Sequence, residues 1–133
     1  MNDDIKVTRA LSNLNKLTKE GSIKWEKKII PKDWFPGDVD EKVINPAFDC
    51  QYDSSYMRIF KYIYKSYQDI DEYHEVLGVK LCFLDLSGNI VWAFHHDRII
   101  HDLYETITYK LSGIESIINK LSENYKDDEF QMF

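Results

Sequence analysis

Five glycines, three prolines and two cysteines are all that the 133 residues contain of these types, and each scarcity removes a class of function. Gly88 and Gly113 stand alone, so no glycine-rich loop is available to cradle a phosphate. Cys50 and Cys82 match no zinc or redox spacing. They sit in apolar-patterned strands and are expected to be buried free thiols in a reducing compartment, with a disulfide between neighbouring strands as the alternative. Positive charge is also short: 17 Lys and Arg face 23 Asp and Glu, a net charge of −6. Phosphate binding needs basic residues concentrated on one face, and the single lysine-rich stretch, 24–32, is flanked by acidic residues. A nucleic-acid partner is therefore not expected. No window approaches the ~18 apolar residues of a membrane helix. The opening Met1-Asn2-Asp3-Asp4 is acidic with no apolar run behind it. These features predict a cytoplasmic protein with no membrane partner. No G-x-S-x-G elbow and no HExxH pattern occur.

What the chain does have is apolar material: 44% hydrophobic and 14% aromatic residues, enough for the core of one domain spanning 1–133. Its most regular third is 79–121. Val79–Leu86 reads as a strand, Ser87-Gly88-Asn89 as a turn and Ile90–Phe94 as a second strand, apolar without a break. Such a run argues that both faces of the sheet are covered, so Phe83 and Trp92 are expected to be shielded above and below. Ile100, Leu103, Ile107, Leu111, Ile114, Ile118 and Leu121 then step by three and four. This spacing predicts one long amphipathic helix with Asp97 as N-cap and Ser112-Gly113 inside it, where Gly costs about 1 kcal/mol relative to Ala.

Residues 3–20 form a second helical pattern, with Val7, Ala10, Leu11, Leu14 and Leu17 on one stripe and Gly21 in the place of a left-handed cap. Ile23–Glu26 alternates as a short strand. Pro31, Pro36, Gly37 and Pro46 make 27–46 an irregular insert. Its adjacent Trp34 and Phe35 are expected to fold back over the sheet rather than offer a contact surface. Residues 47–53 and 56–64 alternate across an Asp53-Ser54-Ser55 turn, an antiparallel hairpin. The charged stretch 66–77 reads equally as loop or short helix, and 122–133 reads as a frayed tail. The whole is an α+β two-layer domain: an antiparallel meander of about five strands, with the N- and C-terminal helices packed on one face.

Candidate chemistry is sparse. His96, His101 and Glu105 are the residues that could hold a zinc, manganese or iron ion, the last two being i and i+4 on one helix face. The competing reading is a polar strand-to-helix junction. Asp85 is expected to cap the turn that follows it. Tyrosines crowd the middle third, and alternation places Arg58, Phe60, Tyr62 and Tyr64 on one face. Aromatic residues and Arg are what buried protein contacts favour, although an aromatic second layer of the core would look the same.

The segments Leu14–Trp25, Gly88–Phe94 and Asp102–Glu105 resemble a group of small bacterial α+β proteins. In that group a short helix ends in Gly and leads to an Ile-x-Trp strand. The resemblance covers about half the chain and implies the helix–sheet–helix order; it implies no catalytic residue. The insert at 27–46 is longer than the connection the group leads one to expect.

The expectation from sequence is thus a non-enzymatic domain with no cofactor. It would bind a protein partner or a second copy of itself through Arg58, Phe60, Tyr62, Tyr64, Trp34 and Phe35, a role suited to neutralising a toxin or to defence. The alternatives are a metal-dependent hydrolase or metal-binding site at His96, His101 and Glu105, and a small-molecule pocket beneath Trp34 and Phe35.

Overall fold

A computed structural model of the chain describes residues 2–37, 40–95 and 97–131. Five strands, β1 (Glu26–Lys28), β2 (Lys42–Tyr52), β3 (Ser55–Tyr67), β4 (Tyr73–Leu84) and β5 (Ile90–Ala93), form one sheet in the order β1-β2-β3-β4-β5. Every neighbouring pair is antiparallel. Helix α1 (Asn2–Glu20) precedes the sheet; α2 (Asp97–Leu111) and α3 (Ile114–Gln131) follow it. This is the α+β meander with terminal helices that the pattern predicts.

The sequence shows why α1 stops. Gly21 takes φ +81°, and its N–H donates to the Thr18 carbonyl while that of Ser22 donates to Leu17. This pair of bonds satisfies carbonyls the helix end would otherwise leave open. Thr18, buried in the last turn, donates to the Leu14 carbonyl at 2.8 Å and accepts from the Trp25 indole at 3.0 Å. Ile23 and Trp25 are thereby driven into the core. They precede β1 instead of forming it: the strand begins at Glu26, later than Ile23.

Alternation sorts the two faces. Phe48 and Cys50 of β2, Met57 and Ile59 of β3, and Val79 and Leu81 of β4 point at the helices. There they meet Leu11 and Leu14 of α1 and Ile100, Leu103, Tyr104 and Ile107 of α2. Burial of each such side chain contributes about 1.5–3 kcal/mol. Ala47, Phe60 and Cys82 point the other way, into a second cluster that Ile30 and Trp34 of the insert close. Cys50 and Cys82 are both buried and free; they lie on opposite faces of the sheet, which excludes the disulfide.

Several stretches differ from their sequence patterns: β2 already begins at Lys42, inside the expected insert 27–46, and α3 runs to Gln131 through residues that read as a frayed tail. Residues 66–77 are a loop only at 68–72: β3 and β4 run in register on either side of it to the pair Tyr67–Tyr73. Strand β5 is the sheet edge, and Val91 and Trp92 remain 65% and 45% exposed. The unbroken apolar run at 90–94 therefore does not mark a strand covered on both faces. Trp92 is sheltered on one side only, by Phe94 at 4.7 Å and Phe83 at 6.3 Å between ring centroids. Finally, the C-terminal helix is two helices. Gly113, at φ +77°, ends α2, and the Ser112 hydroxyl donates to the Tyr109 carbonyl while accepting from the Ile114 N–H.

Candidate interaction surface

The sheet face away from the helices was the expected contact surface, and the insert occupies much of it. Asn45 pins the insert: its side-chain oxygen accepts from the Ile30 N–H at 2.7 Å and its amide donates to the Ile30 carbonyl at 3.2 Å. A side chain here replaces a strand's backbone, fixing a segment that lacks strand pattern. Trp34 then meets Phe60 edge to face at 5.5 Å and donates its indole N–H to the Gly88 carbonyl at 2.8 Å. Lys80, from β4, completes the strap by donating to the Pro36 carbonyl at 3.2 Å and to Glu41 at 3.0 Å.

The six residues expected at a partner interface therefore divide. Phe60 is wholly buried. Arg58 makes a two-pronged pair with Asp49 at 2.7 and 2.9 Å and lies 4.9 Å from the centre of the Trp34 ring. Trp34 is half-buried as the lid over Phe60. Tyr62 and Tyr64 stack at 5.5 Å and are half-buried, and Phe35 is exposed. The structure thus brings Arg58, Phe60 and Trp34 together as internal packing, and Tyr62, Tyr64 and Phe35 reach solvent in part. A cleft of about 410 Å³ lies at the insert, with Ile30, Trp34, Phe35 and Val43 on its walls and Lys32 and Glu41 among its charged residues.

A larger exposed apolar surface lies on α3. Ile114, Ile117, Ile118, Leu121 and Tyr125 are 43 to 69% exposed, and Leu111 at the end of α2 is 49% exposed. The steps 111, 114, 118, 121, 125 alternate three and four, the spacing of a seam that faces another helix. Among the described residues, α2 is the element on which α3 makes its main contact. Sequence periodicity placed Ile114, Ile118 and Leu121 in the domain's own core. The signal that separates them is Ser112-Gly113: a left-handed glycine redirects the chain, so one stripe serves two different neighbours.

His101 and Glu105 approach to 3.6 Å, both largely exposed. With Asp102 they bring three potential ligand atoms within 4.8 Å of one another. His96, the third residue expected there, lies outside the described residues. Asp85 caps its turn as expected, accepting from the N–H groups of Ser87 and Asn89 at 2.9 Å each. Burial raises the thiols of Cys50 and Cys82 to about 12, with a smaller contribution from Asp49 at Cys50; Arg58 and Lys80 oppose the rise at Cys82. Both are neutral thiols at ordinary pH, poor nucleophiles and poor metal ligands.

No known protein family, curated protein or solved structure matches the chain. Among the described residues no helix is long and apolar enough to cross a membrane.

Proposed function

We propose that the protein is a non-enzymatic interaction domain and that it works by presenting α3 to another protein chain. The observation that carries this reading is the exposed apolar stripe Ile114, Ile117, Ile118, Leu121 and Tyr125. An 18-residue helix without tertiary packing is marginal in water, because nucleation is costly and propagation gains little per residue. A stripe of this regularity is the complement that a partner surface supplies. Excess acidic charge disfavours nucleic acid as that partner, and two neutral buried thiols suit the cytoplasm. Within this reading the outer-face aromatics, with Phe35 the most exposed, form the scaffold and rim while α3 carries the contact. A toxin-neutralising or defence-related role in a bacterial cell would use the same surface.

The test is whether the stripe belongs to the domain's own core. Ile118→Asp and Leu121→Asp are expected to leave the unfolding free energy of the dilute monomer within about 0.5 kcal/mol of the parent, as surface substitutions do. A loss of ~2 kcal/mol or more, the size of a core truncation, would show that α3 docks on its own chain, and the reading fails.

A further inference from the structure

We infer that the cleft between α1 and the β2–β3 turn is a binding site for a small amphipathic amine: one apolar ring or short hydrocarbon carrying an ammonium group. No residue of α3 lines this cleft, so it is independent of the surface proposed above.

The cleft follows from how the elements pack. Helix α2 lies against both α1 and β4, whereas the main neighbour of α1 among the described residues is α2. The space left beside α1 at the end of the hairpin encloses about 320 Å³. Its floor is core: Leu11, Leu14, Ile23 and Met57 are buried, and half-buried Phe83 and Phe94 stand 5.5 Å apart between ring centroids. Its rim is polar, made by exposed Asn13, Tyr52, Asp53 and Ser55. An apolar floor with a few polar groups at the rim is the usual make-up of small-ligand pockets, which start at about 300 Å³. Volume bounds the occupant. An apolar cavity of about 150 Å³ takes one benzene, so this cleft takes a single ring with a short side chain.

Charge names the head group. Asp53 is the one charged residue in the lining, and no Lys, Arg or His joins it there among the described residues. Its carboxylate has no hydrogen-bond or ion-pair partner among the described residues. Asp85 provides the contrast within the molecule: its carboxylate is taken up by N–H groups of its own turn, the ordinary fate of a turn aspartate. Asp53 stands at φ +50° and Ser54 at φ +67°, in the two-residue turn closed by the pair Tyr52–Ser55. Glycine is usual in the second of these places, so the backbone holds Asp53 at the rim at a cost, and such costs gather at ligand-binding sites. A carboxylate at the edge of an apolar cleft attracts a cation that brings its own hydrocarbon, and repels an anion of the same shape. The cleft at the insert differs. Lys32, Glu41 and Lys42 all line it, and it selects no one sign of head group.

The test is a nuclear magnetic resonance titration of the full chain with phenethylamine, which is protonated at neutral pH. Phenethyl alcohol and hydrocinnamate serve as the neutral and anionic counterparts. Phenethylamine is expected to shift the signals of Leu14, Met57 and Phe94 saturably. It should bind about threefold to fivefold tighter than the alcohol, as a partly exposed ion pair gives, and the acid should bind weakest. Asp53→Asn keeps the turn, because Asn favours its left-handed backbone. That variant should bring amine and alcohol to equal affinity while leaving the alcohol's affinity unchanged. Ala10 lines the exposed side of the cleft on α1, where leucine suits a helix. Ala10→Leu should fill the entrance and weaken both ligands about tenfold or more. Absence of saturable shifts at the cleft overturns the site, as do shifts confined to Trp34 and Phe35 or binding indifferent to Ala10→Leu. Equal affinity of amine and alcohol in the parent, or a preference that survives Asp53→Asn, overturns the choice of an amine.

Discussion

The Tyr62 ring lies flat against Gly78, its cross-strand partner, so closely that a Cβ on Gly78 would stand 2.9 Å from two ring carbons. That approach lets the ring continue the aromatic row from Phe60 to Tyr64 and receive the Lys80 ammonium at 4.7 Å from its centre. Lys80 in turn holds Glu41 and the Pro36 carbonyl. A residue with no side chain in β4 is thus tied to the position of the insert two strands away.

Gly78→Ala tests the tie. Alanine suits a strand better than glycine, so an open site would gain a little stability. Here the added methyl must move the ring, and overpacking of this kind costs about 1–3 kcal/mol. Denaturant unfolding should show a net loss. Paired with Tyr62→Ala the same substitution should be neutral or stabilising, and a double-mutant cycle reads the difference.

Trp34 is the lid over the outer cluster that contains Cys82. Trp34→Ala removes its contacts with Phe60 and Arg58 and its bond to Gly88, and should destabilise by roughly 2–4 kcal/mol. The thiols add a local readout. Cys82 should react with a thiol reagent faster in the variant, while Cys50, on the opposite face under the helices, keeps its parental rate once global unfolding is subtracted.

The same thiols predict a stability profile with pH. Both are held at about 12 in the native state, against an ordinary value of 9.0. Between those limits the unfolded chain loses protons that the folded chain keeps, so stability falls as pH rises. The contribution is fully present below pH 9 and is lost on the way to about 12, by up to about 1.4 kcal/mol per pH unit for each thiol. Burial raises the Tyr104 hydroxyl in the same direction, so the parent profile includes more than the cysteines. Urea titrations at pH 8, 9 and 10 should therefore show a shallower decline for Cys50→Ala with Cys82→Ala than for the parent. Identical slopes would contradict the assignment.

How much of this was legible beforehand follows from which signals are local. Strand alternation at 47–53 and 56–64 is a period-two pattern, and the faces it assigns to Phe48, Cys50, Met57, Ile59 and Phe60 are those observed. Gly21 as helix stop and Asp85 as turn cap are also local chemistry and also hold. What the pattern could not supply is which elements stand at the edge. Ile90–Phe94 reads as a doubly covered strand, yet β5 has one neighbour, and its exposure is set by strand order, not by its own residues. Trp34 and Phe35 were expected to fold back over the sheet; Trp34 does, while Phe35 stays exposed. The bonds that hold the insert, from Asn45 to Ile30 and from Trp34 to Gly88, span 15 and 54 residues and leave no periodic trace. For the candidate surface the stripe itself was plain, but its allegiance was not. Periodicity reports that side chains share a face and does not say whose core that face joins.

Gly113 decides that allegiance, and it makes the last prediction. At φ +77° it occupies a conformation that L residues adopt at a cost of about 1–2 kcal/mol. A Cβ there would meet nothing within 4 Å, so the penalty of substitution is conformational and not steric. Gly113→Asn, which tolerates the left-handed region better, should lose less than Gly113→Ala, and Gly113→Val should lose most because its branched side chain resists that region. There is a competing outcome that the helical stripe itself favours. Alanine removes about 1 kcal/mol of helix penalty and could fuse α2 and α3 into the single helix that periodicity predicts. Spin labels at half-buried Thr106 and exposed Lys120 distinguish the two. An unchanged distance with lowered stability means the left-handed break persists under strain. A lengthened distance, approaching ~21 Å along one axis, means the break has closed, and α3 would then present its stripe in a new direction.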